Sequence, residues 1–320
     1  MTVRFERPVS HAARIALRLG QFALVLAVGV TLAHRFGPLK TPDFLGLLLL
    51  SAAAGALAVP FAMLGLLRLW QVGAKGGIAA ATGLLFAAVP IGVIALGGFF
   101  YLERPKLYDL SSDLSDTPPW LSAPAANQQW LPRPPPPAVT ALRPAATTAQ
   151  ANSMSPAPGK AAALQTEAYP GLTGRRYEGA IDRVYLAVRK VAVSSRIAIV
   201  RSQGLANAEP DLTDRPAKPA TSPARDPLAT VPIPLPRPDV SIDTPMFGRS
   251  GDVLLQGTAR TFVFGFPFDV MIRLREEAET TLVDIRVASR FGPTDFGFGD
   301  ALAESYLQAL DSELLGIAGG

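Results

Sequence analysis

Long apolar stretches dominate the first third of the chain. They cover residues 15–33, 44–67 and 78–102, and the second and third contain no charged residue. A helix crosses ~30 Å of hydrocarbon with about 20 residues, so each stretch is long enough to span a bilayer. Pro60 and Pro90 lie inside the second and third stretches and predict kinks, because proline removes an intrahelical hydrogen bond. The pattern predicts three transmembrane helices.

The first stretch is open to two interpretations because Arg18 interrupts it. An arginine-rich start followed by an apolar run at 19–33 is typical of a cleaved secretion signal. No small-x-small cleavage site precedes His34 and Arg35, which favours a retained helix with Arg18 extending to the headgroups. We therefore expect this segment to remain as a membrane anchor.

Positive charges beside the three stretches predict an orientation. Six lie before the uncharged part of the first stretch, at 19–33, or between the second and third stretches, and four lie in the other connections: Arg4, Arg7, Arg14, Arg18, Arg68 and Lys75 against Arg35, Lys40, Arg104 and Lys106. Because the more positive side stays in the cytoplasm, we expect a membrane region at 1–106 with a cytoplasmic N-terminus. The alanine, arginine and proline bias favours a Gram-negative source, which predicts a bacterial inner-membrane protein with a periplasmic C-terminal domain.

Proline-rich tracts divide the remainder of the chain. Residues 117–170 and 205–245 hold most of the 30 prolines, with alanine, serine and threonine between them. Such segments bury too little apolar surface to offset chain entropy, and runs such as LPRPPPPAV favour local polyproline helix. The sequence predicts an entry segment and linker at 107–168, and a folded domain at 169–316 with a disordered insertion near 205–246. A role in docking a partner or as a spacer is the alternative.

The residues outside the tracts carry helix and strand patterns. Apolar residues recur at helical spacing at 181–191, and SRIAIVRS is typical of a short strand. In GDVLLQGTARTFVF the apolar side chains occupy odd positions, whereas in the following FDVMIRL they occupy even ones. A period-two strand cannot change face, so a turn or bulge is expected at 265–267. Phe262 and Phe264 would end one strand and Phe268 would begin the next.

A last strand and a last helix complete the domain. TLVDIRVASR carries valine and isoleucine on one face and Asp284, Arg286 and Arg290 on the other. A helix is predicted at 300–315, ended by Gly316. The order predicts an α+β fold: three N-terminal transmembrane helices followed by a small antiparallel-sheet domain with helices packed on one face.

Composition argues against several kinds of chemistry. The net charge is only +4 and no basic block occurs, so we expect no nucleic acid partner; the expected partners are the lipid bilayer and an envelope protein or lipid. The chain has no cysteine, and its two histidines, His11 and His34, flank the first apolar stretch. The C-terminal domain therefore cannot build a Ser-His-Asp triad, a Cys-His pair or a His/Cys zinc site. We expect no cofactor, no metal and no catalytic residue.

Charged side chains on the strand faces form the first part of a candidate site. They are Asp269, Arg273, Asp284, Arg286, Arg290 and Asp295. One interpretation is an arginine-lined site for a carboxylate or phosphate group, with aspartates orienting the guanidinium groups. The other is a solvated sheet face with cross-strand ion pairs, each worth about 0.2–1 kcal/mol. Asp295 could also cap the last helix or clamp Arg290.

The segment RVASRFGPTDFG, at 286–297, resembles the signature of the domain of unknown function family 1499. In that family an arginine-rich strand ends in Ser-Arg, and Gly and Asp-x-Gly precede the last helix; the matching residues are Arg286, Ser289, Arg290, Gly292, Asp295 and Gly297. DLSSDLSDTPPW, at 109–120, is similar to the family's entry segment. Membrane helices ahead of the domain are common among relatives. The resemblance supports the fold and implies no activity.

The corner FGFPF supplies the second part of the candidate site. Phe268 stands where the family has the first acid of a pair, so the corner is more apolar in this chain. Packing under the helices is one explanation for the rings, and a pocket for an apolar ligand such as lipid is the other. The candidate ligand-binding residues are therefore Asp269, Arg273, Asp284, Arg286, Ser289, Arg290, Asp295, Phe266 and Phe268.

Three functions follow from this pattern. The preferred one is a membrane protein with a periplasmic, non-enzymatic binding or scaffold domain that acts at the cell envelope. The first alternative is a carboxylate-dependent envelope enzyme, for which Asp269 and Asp295 are the best acid pair. The second is a structural subunit of a larger membrane complex.

Overall fold

The structure is a computed structural model that describes residues 8–124, 160–208 and 251–315. The greater part of both proline-rich tracts lies outside these residues. The predictions of a disordered linker, a disordered insertion and local polyproline helix therefore lie outside the described residues as well.

Three long helices form the N-terminal bundle, as the apolar stretches predicted. They are α1 (His11–Phe36), α2 (Thr41–Val72) and α3 (Gly77–Glu103), and each is long and apolar enough to cross a membrane. Ser10 begins α1 by accepting a hydrogen bond from the Ala13 amide, and Gly73 ends α2 in the left-handed conformation. α2 and α3 each continue through their internal proline.

Small residues let the three helices pack closely. Ala13, Ala16, Ala62 and Ala80 form a buried cluster between them. A Cβ on Gly83 would lie 2.7 Å from the carbonyl carbon of Ala16, so only glycine fits where α3 crosses α1. Close backbone approach of this kind is the usual way in which helices associate where hydrophobic burial offers little driving force.

The C-terminal part of the described chain forms one antiparallel sheet with helices on one face, which confirms the α+β prediction. The strands lie in the order β1-β6-β5-β4-β3, and β2 pairs with β6 next to β1. Their bounds are β1 (Asp109–Ser111), β2 (Arg175–Glu178), β3 (Ala198–Gln203), β4 (Val253–Arg260), β5 (Pro267–Glu276) and β6 (Thr280–Ser289). The helices are α4 (Lys160–Ala168), α5 (Ile181–Ser194) and α6 (Phe298–Leu314).

The main core lies between the sheet and its helices. Val270, Ile272 and Leu274 of β5 face it and are fully buried, as are Val184 and Val188 of α5 and Tyr306 and Leu310 of α6. The buried Tyr306 hydroxyl donates to the Val188 carbonyl oxygen at 3.2 Å, which joins the two helices. β1 comes from the predicted entry segment, so that segment belongs to the sheet.

A tight turn joins β4 to β5 where the apolar pattern changes face, as predicted. The Thr261 amide donates to the Phe266 carbonyl at 3.0 Å, and Gly265 adopts a φ of 76°. The prediction that Phe262 and Phe264 end the first strand is wrong, because β4 stops at Arg260 and both rings lie in the turn. We call residues 261–266, together with Phe268, the aromatic corner.

A short connector, residues 104–108, joins α3 to β1. Its carbonyl groups accept three hydrogen bonds from the loop that links β6 to α6 and from the end of β6. The donors are Thr294 Oγ1 to Pro105 at 3.1 Å, Asp295 N to Leu107 at 2.9 Å and Ser289 N to Tyr108 at 2.7 Å. The connector is therefore fixed to the sheet along its length.

Candidate functional site

The structure divides the nine predicted site residues between the two faces of the sheet. Asp269, Arg273, Asp284, Arg286 and Arg290 lie on the face away from the core helices, which we call the arginine face. Ser289, Asp295, Phe266 and Phe268 lie at the other side, where the sheet approaches the helical bundle. Side-chain alternation along β5 and β6 causes the division, because neighbouring residues of a strand point to opposite faces.

Arg273 is the centre of the arginine face, and it is only 1% exposed. Its Nε and Nη2 donate to Asp284 Oδ2 on the neighbouring strand, at 3.1 and 2.5 Å. Nη2 also lies 3.1 Å from Asp113, and Nη1 lies 3.4 Å from Asp116. Three carboxylates of the protein therefore surround this guanidinium group.

The other two predicted site arginines of this face are also paired with carboxylates. Arg286 binds Asp109 through two hydrogen bonds of 2.9 and 2.7 Å, donates to the Pro118 carbonyl and lies 5.0 Å from the Trp120 ring centroid. Arg290 binds Asp269 in the same two-point manner, at 2.9 and 2.6 Å. The planar guanidinium group matches a carboxylate in this geometry.

Residues 112–124 cover the arginine face, and we call them the strap. Ser112 Oγ donates to Asp284 Oδ1 at 3.2 Å, and the Ser122 backbone exchanges two hydrogen bonds with the Gln256 side chain, at 2.8 and 2.9 Å. The predicted cross-strand ion pairs are therefore present. The prediction that this sheet face is exposed to solvent is wrong. Sequence alone did not show that the entry segment folds back over the strands.

Asp113 shows how the strap is held. Burial by itself would raise the pKa of this carboxyl, but hydrogen bonds from the Asp116 amide and from Ser115, together with the Arg273 charge, bring the pKa below its usual value. The ionised form is thus the stable one next to Arg273.

Asp295 lies two residues before Gly297, the N-cap of α6, and its carboxylate binds amides at the start of that helix, which is one of the two roles predicted for it. Its Oδ1 accepts from the Gly297 amide at 3.0 Å and its Oδ2 from the Gly299 amide at 2.9 Å. Burial raises the pKa of Asp295, although these amides act in the opposite direction. The predicted clamp on Arg290 does not form, because Arg290 binds Asp269 instead.

An apolar cavity of about 590 Å³ lies between the aromatic corner and the helical bundle. Ser289 and Asp295 are the polar exceptions in its wall, and both make hydrogen bonds within their own loop. The bundle contributes Phe44, Leu45, Leu48 and Leu49 of α2 and Val93, Ile94, Leu96, Gly97, Gly98, Phe100 and Tyr101 of α3. The sheet domain contributes Phe264, Phe266, Pro267, Phe268, Phe291, Phe296 and Phe298.

Aromatic contacts connect the corner to the bundle beside this cavity. The Phe44 ring lies 5.9 Å from Phe266 and 6.3 Å from Phe264, and His34 stacks on Phe44 at 4.5 Å. His34 Nδ1 lies 2.6 Å from the Phe264 carbonyl oxygen, and Nε2 lies 3.2 Å from Thr41 Oγ1. Phe268 packs below them into the main core and is 2% exposed.

The residues that the bundle contributes to this cavity were not predicted from the sequence. Phe44, Gly97 and Tyr101 have the residue types of any membrane helix, and periodicity does not separate a lipid-facing side chain from one that lines a cavity. The adjacent glycines Gly97 and Gly98 are the signal that was available, because they leave room beside α3: a Cβ on either would meet nothing within 4 Å.

Comparisons with known proteins bear on the sheet domain. Neither the curated proteins nor the solved structures gave a significant match. A family model described as protein of unknown function (DUF1499) matches residues 240–310, which include β4, β5, β6 and most of α6. The resemblance that the arginine strand suggested is therefore confirmed over these residues, which are similar to the DUF1499 family and follow three helices long and apolar enough to cross a membrane.

Proposed function

We propose that this protein is a membrane-anchored lipid-binding module of the cell envelope, whose cavity holds an acyl chain of a membrane lipid. The observation that carries this proposal is the apolar cavity between α2, α3 and the aromatic corner. Its volume lies within the ~300–1,000 Å³ range of ligand pockets. The flanking positive charges support a periplasmic position for the sheet domain, so the lipid would come from the outer leaflet.

The position of the cavity favours a lipid over a water-soluble ligand. Its α3 wall runs from Val93 to Tyr101 near the helix end, which corresponds to about 12 Å along the axis. A chain in the cavity thus lies at the depth of hydrocarbon. Leu49 and Leu96 belong to the wall and are also exposed on the surface of the bundle, 48% and 55%, so an acyl chain can enter sideways from the bilayer.

The chemistry of the wall fits the same occupant. The hydrocarbon of a bilayer is as apolar as the cavity, so moving a chain between them gains little from the hydrophobic effect. Binding then rests on close contact with the rings of Phe44, Phe264 and Phe266. The Asp295 carboxyl, one of the polar groups of this wall, is already bound by the Gly297 and Gly299 amides.

Gly97→Leu tests the proposal by placing a side chain in the cavity. Full-length protein is exposed in bilayers to a lipid that carries a diazirine in its acyl chain, and the cross-linked peptides are mapped. We expect labelling of residues 93–101 and 264–268 in the parent and a loss of at least about fivefold in the variant, since a Leu side chain would occupy the space that a chain needs.

Gly92→Leu is the matched control, because Gly92 lies on the same helix, has open space around it and is not part of the wall. It should label as the parent does. Equal labelling of the wall and of the exposed residues Phe22 and Val25 on α1, or full labelling in the Gly97→Leu variant, would show that the cavity does not hold lipid.

A further inference from the structure

We infer that the bound lipid is anionic and that Arg104 and Lys106, at the end of α3, hold its headgroup. This inference rests on the proposed acyl-chain cavity and adds the chemical class of its ligand. A glycerophospholipid with a net negative charge fits best, since its phosphate would lie at the membrane surface while one chain enters the cavity.

Both cations lie at the rim of the cavity. Lys106 Nζ is 3.3 Å from the ring centroid of Tyr101, a residue of the wall, and it also donates to the Tyr101 carbonyl. The Arg104 guanidinium carbon lies 3.4 Å from the position that a Cβ on Gly297 would take, next to Phe296 of the wall. Since α3 ends at Glu103, the two cations stand where headgroups replace hydrocarbon.

Among the described residues, no carboxylate neutralises the charge of these cations in an ion pair. Within residues 8–124, 160–208 and 251–315, neither forms an ion pair with a carboxylate, in contrast to Arg273, Arg286 and Arg290. Arg104 acts on Asp300 only through its charge, which lowers the pKa of that carboxyl, while burial, Glu304 and Asp295 raise it. Positive charge is therefore available to an anion at this rim.

A buried hydroxyl beside Arg104 is the second, independent observation. Tyr169 is 7% exposed, and its hydroxyl makes no hydrogen bond of good geometry with the described residues. Burial and the charges of Asp295 and Asp300 raise its pKa to about 12, while Arg104 lies close enough to lower it. The hydroxyl is thus a neutral donor without an acceptor, next to a guanidinium group, and a phosphate oxygen would satisfy both.

The experiment compares two diazirine lipids with identical chains, phosphatidylglycerol and phosphatidylcholine, on full-length protein in bilayers of mixed composition. We expect the parent to label residues 93–101 and 264–268 with the anionic lipid in preference to the zwitterionic one. Each basic side chain near a membrane surface contributes roughly a fivefold preference, and the preference should fall as salt is added.

Arg104→Gln with Lys106→Gln should remove the preference, because it should lower labelling by phosphatidylglycerol more than labelling by phosphatidylcholine. Arg68→Gln with Lys75→Gln is the matched control, since it removes one arginine and one lysine that are exposed at the opposite ends of the helices. It should keep the preference of the parent.

The outcomes separate the two proposals. If the Arg104/Lys106 variant keeps the full preference, the headgroup inference is wrong and the cavity proposal stands. If neither lipid labels the cavity wall more strongly than the exposed residues of α1, the cavity proposal is wrong, and so is the headgroup inference that rests on it. If a diazirine fatty acid displaces phosphatidylglycerol from the wall at equal concentration, the cations bind a carboxylate and the phospholipid assignment is overturned.

Discussion

The arginine face and the apolar cavity lie on opposite sides of β5 and β6. They differ in whether their own side chains satisfy one another. On the arginine face Arg273, Arg286 and Arg290 each bind a carboxylate of the protein, and the strap contacts Arg273 and Arg286. At the cavity, apolar side chains of three elements meet without filling the space between them. The charged residues, which the sequence offered as a binding site, pair with one another and stabilise the fold. Several aromatic residues, for which the sequence offered core packing as one explanation, line the apolar cavity instead.

The difference follows from what each kind of group needs when it is buried. An unpaired charge in a protein interior costs several kcal/mol, so a buried arginine requires a carboxylate from its own chain. An apolar wall has no such requirement, so a cavity beside it leaves no buried charge without a partner. A ligand is therefore better sought at the apolar side of this domain.

The largest effect is expected from the charged side. Arg273→Met should lower the free energy of unfolding by about 3–5 kcal/mol, because it leaves Asp284, which is 1% exposed, as a buried charge without its partner. Thermal unfolding of the full-length protein in detergent measures this. Adding Asp284→Leu to Arg273→Met should recover most of the loss. As a control, Lys190→Ala removes the exposed ion pair with Glu313 and should cost only ~0.2–1 kcal/mol. A double variant as unstable as Arg273→Met would contradict this account of the face.

A comparable loss is expected on the apolar side from Phe268→Ala. The ring is 2% exposed in the main core, and a buried Phe→Ala change costs about 3–5 kcal/mol. Phe262→Ala is the control in the same corner, because Phe262 is 74% exposed and should change stability by less than ~0.5 kcal/mol. Equal effects of the two changes on the unfolding temperature would show that the corner is not ordered in this way.

A smaller effect should come from the turn that closes the cavity. Gly265 has a φ of 76°, and a Cβ there would lie 3.1 Å from the Arg35 Cα of the bundle. Gly265→Ala should cost about 1–2 kcal/mol for the left-handed backbone and more for the contact. Gly73→Ala, at a φ of 63° with open space around it, measures the backbone part alone. Identical costs for the two changes would mean that the corner and the bundle are not in contact at Arg35.

The smallest effect concerns the strap and depends on pH. The pKa of Asp113 is lower in the folded protein, so its contribution to stability is present above the unfolded value of ~3.9 and is lost as pH falls through the folded value. Asp113→Asn should therefore lower the free energy of unfolding at neutral pH, by less than ~1 kcal/mol because Asp113 is partly exposed. The unfolding temperature measures this change. The difference in unfolding temperature between this variant and the parent should disappear at acid pH. A difference that stays constant from pH 7 to pH 3 would rule out this role.

Sequence predicted the elements of this fold better than the distribution of its site. The face change across FGFPF required a turn, and the turn is where it was expected, because period-two alternation is a local property of the chain. The pairing of Arg286 with Asp109 and the cover provided by the strap join residues that are far apart in sequence. No local pattern reports such contacts, so the site residues could be named but not separated into a structural group and a cavity group.

The connector between α3 and β1 sets how far the sheet domain can reach. Residues 104–108 would span at most about 18 Å if they were extended, and hydrogen bonds to Thr294, Asp295 and Ser289 fix them against the sheet. The domain is therefore not a tethered module that searches the space above the bilayer. It tilts and turns with α3, and anything that it touches has to come to the membrane surface or already be part of it.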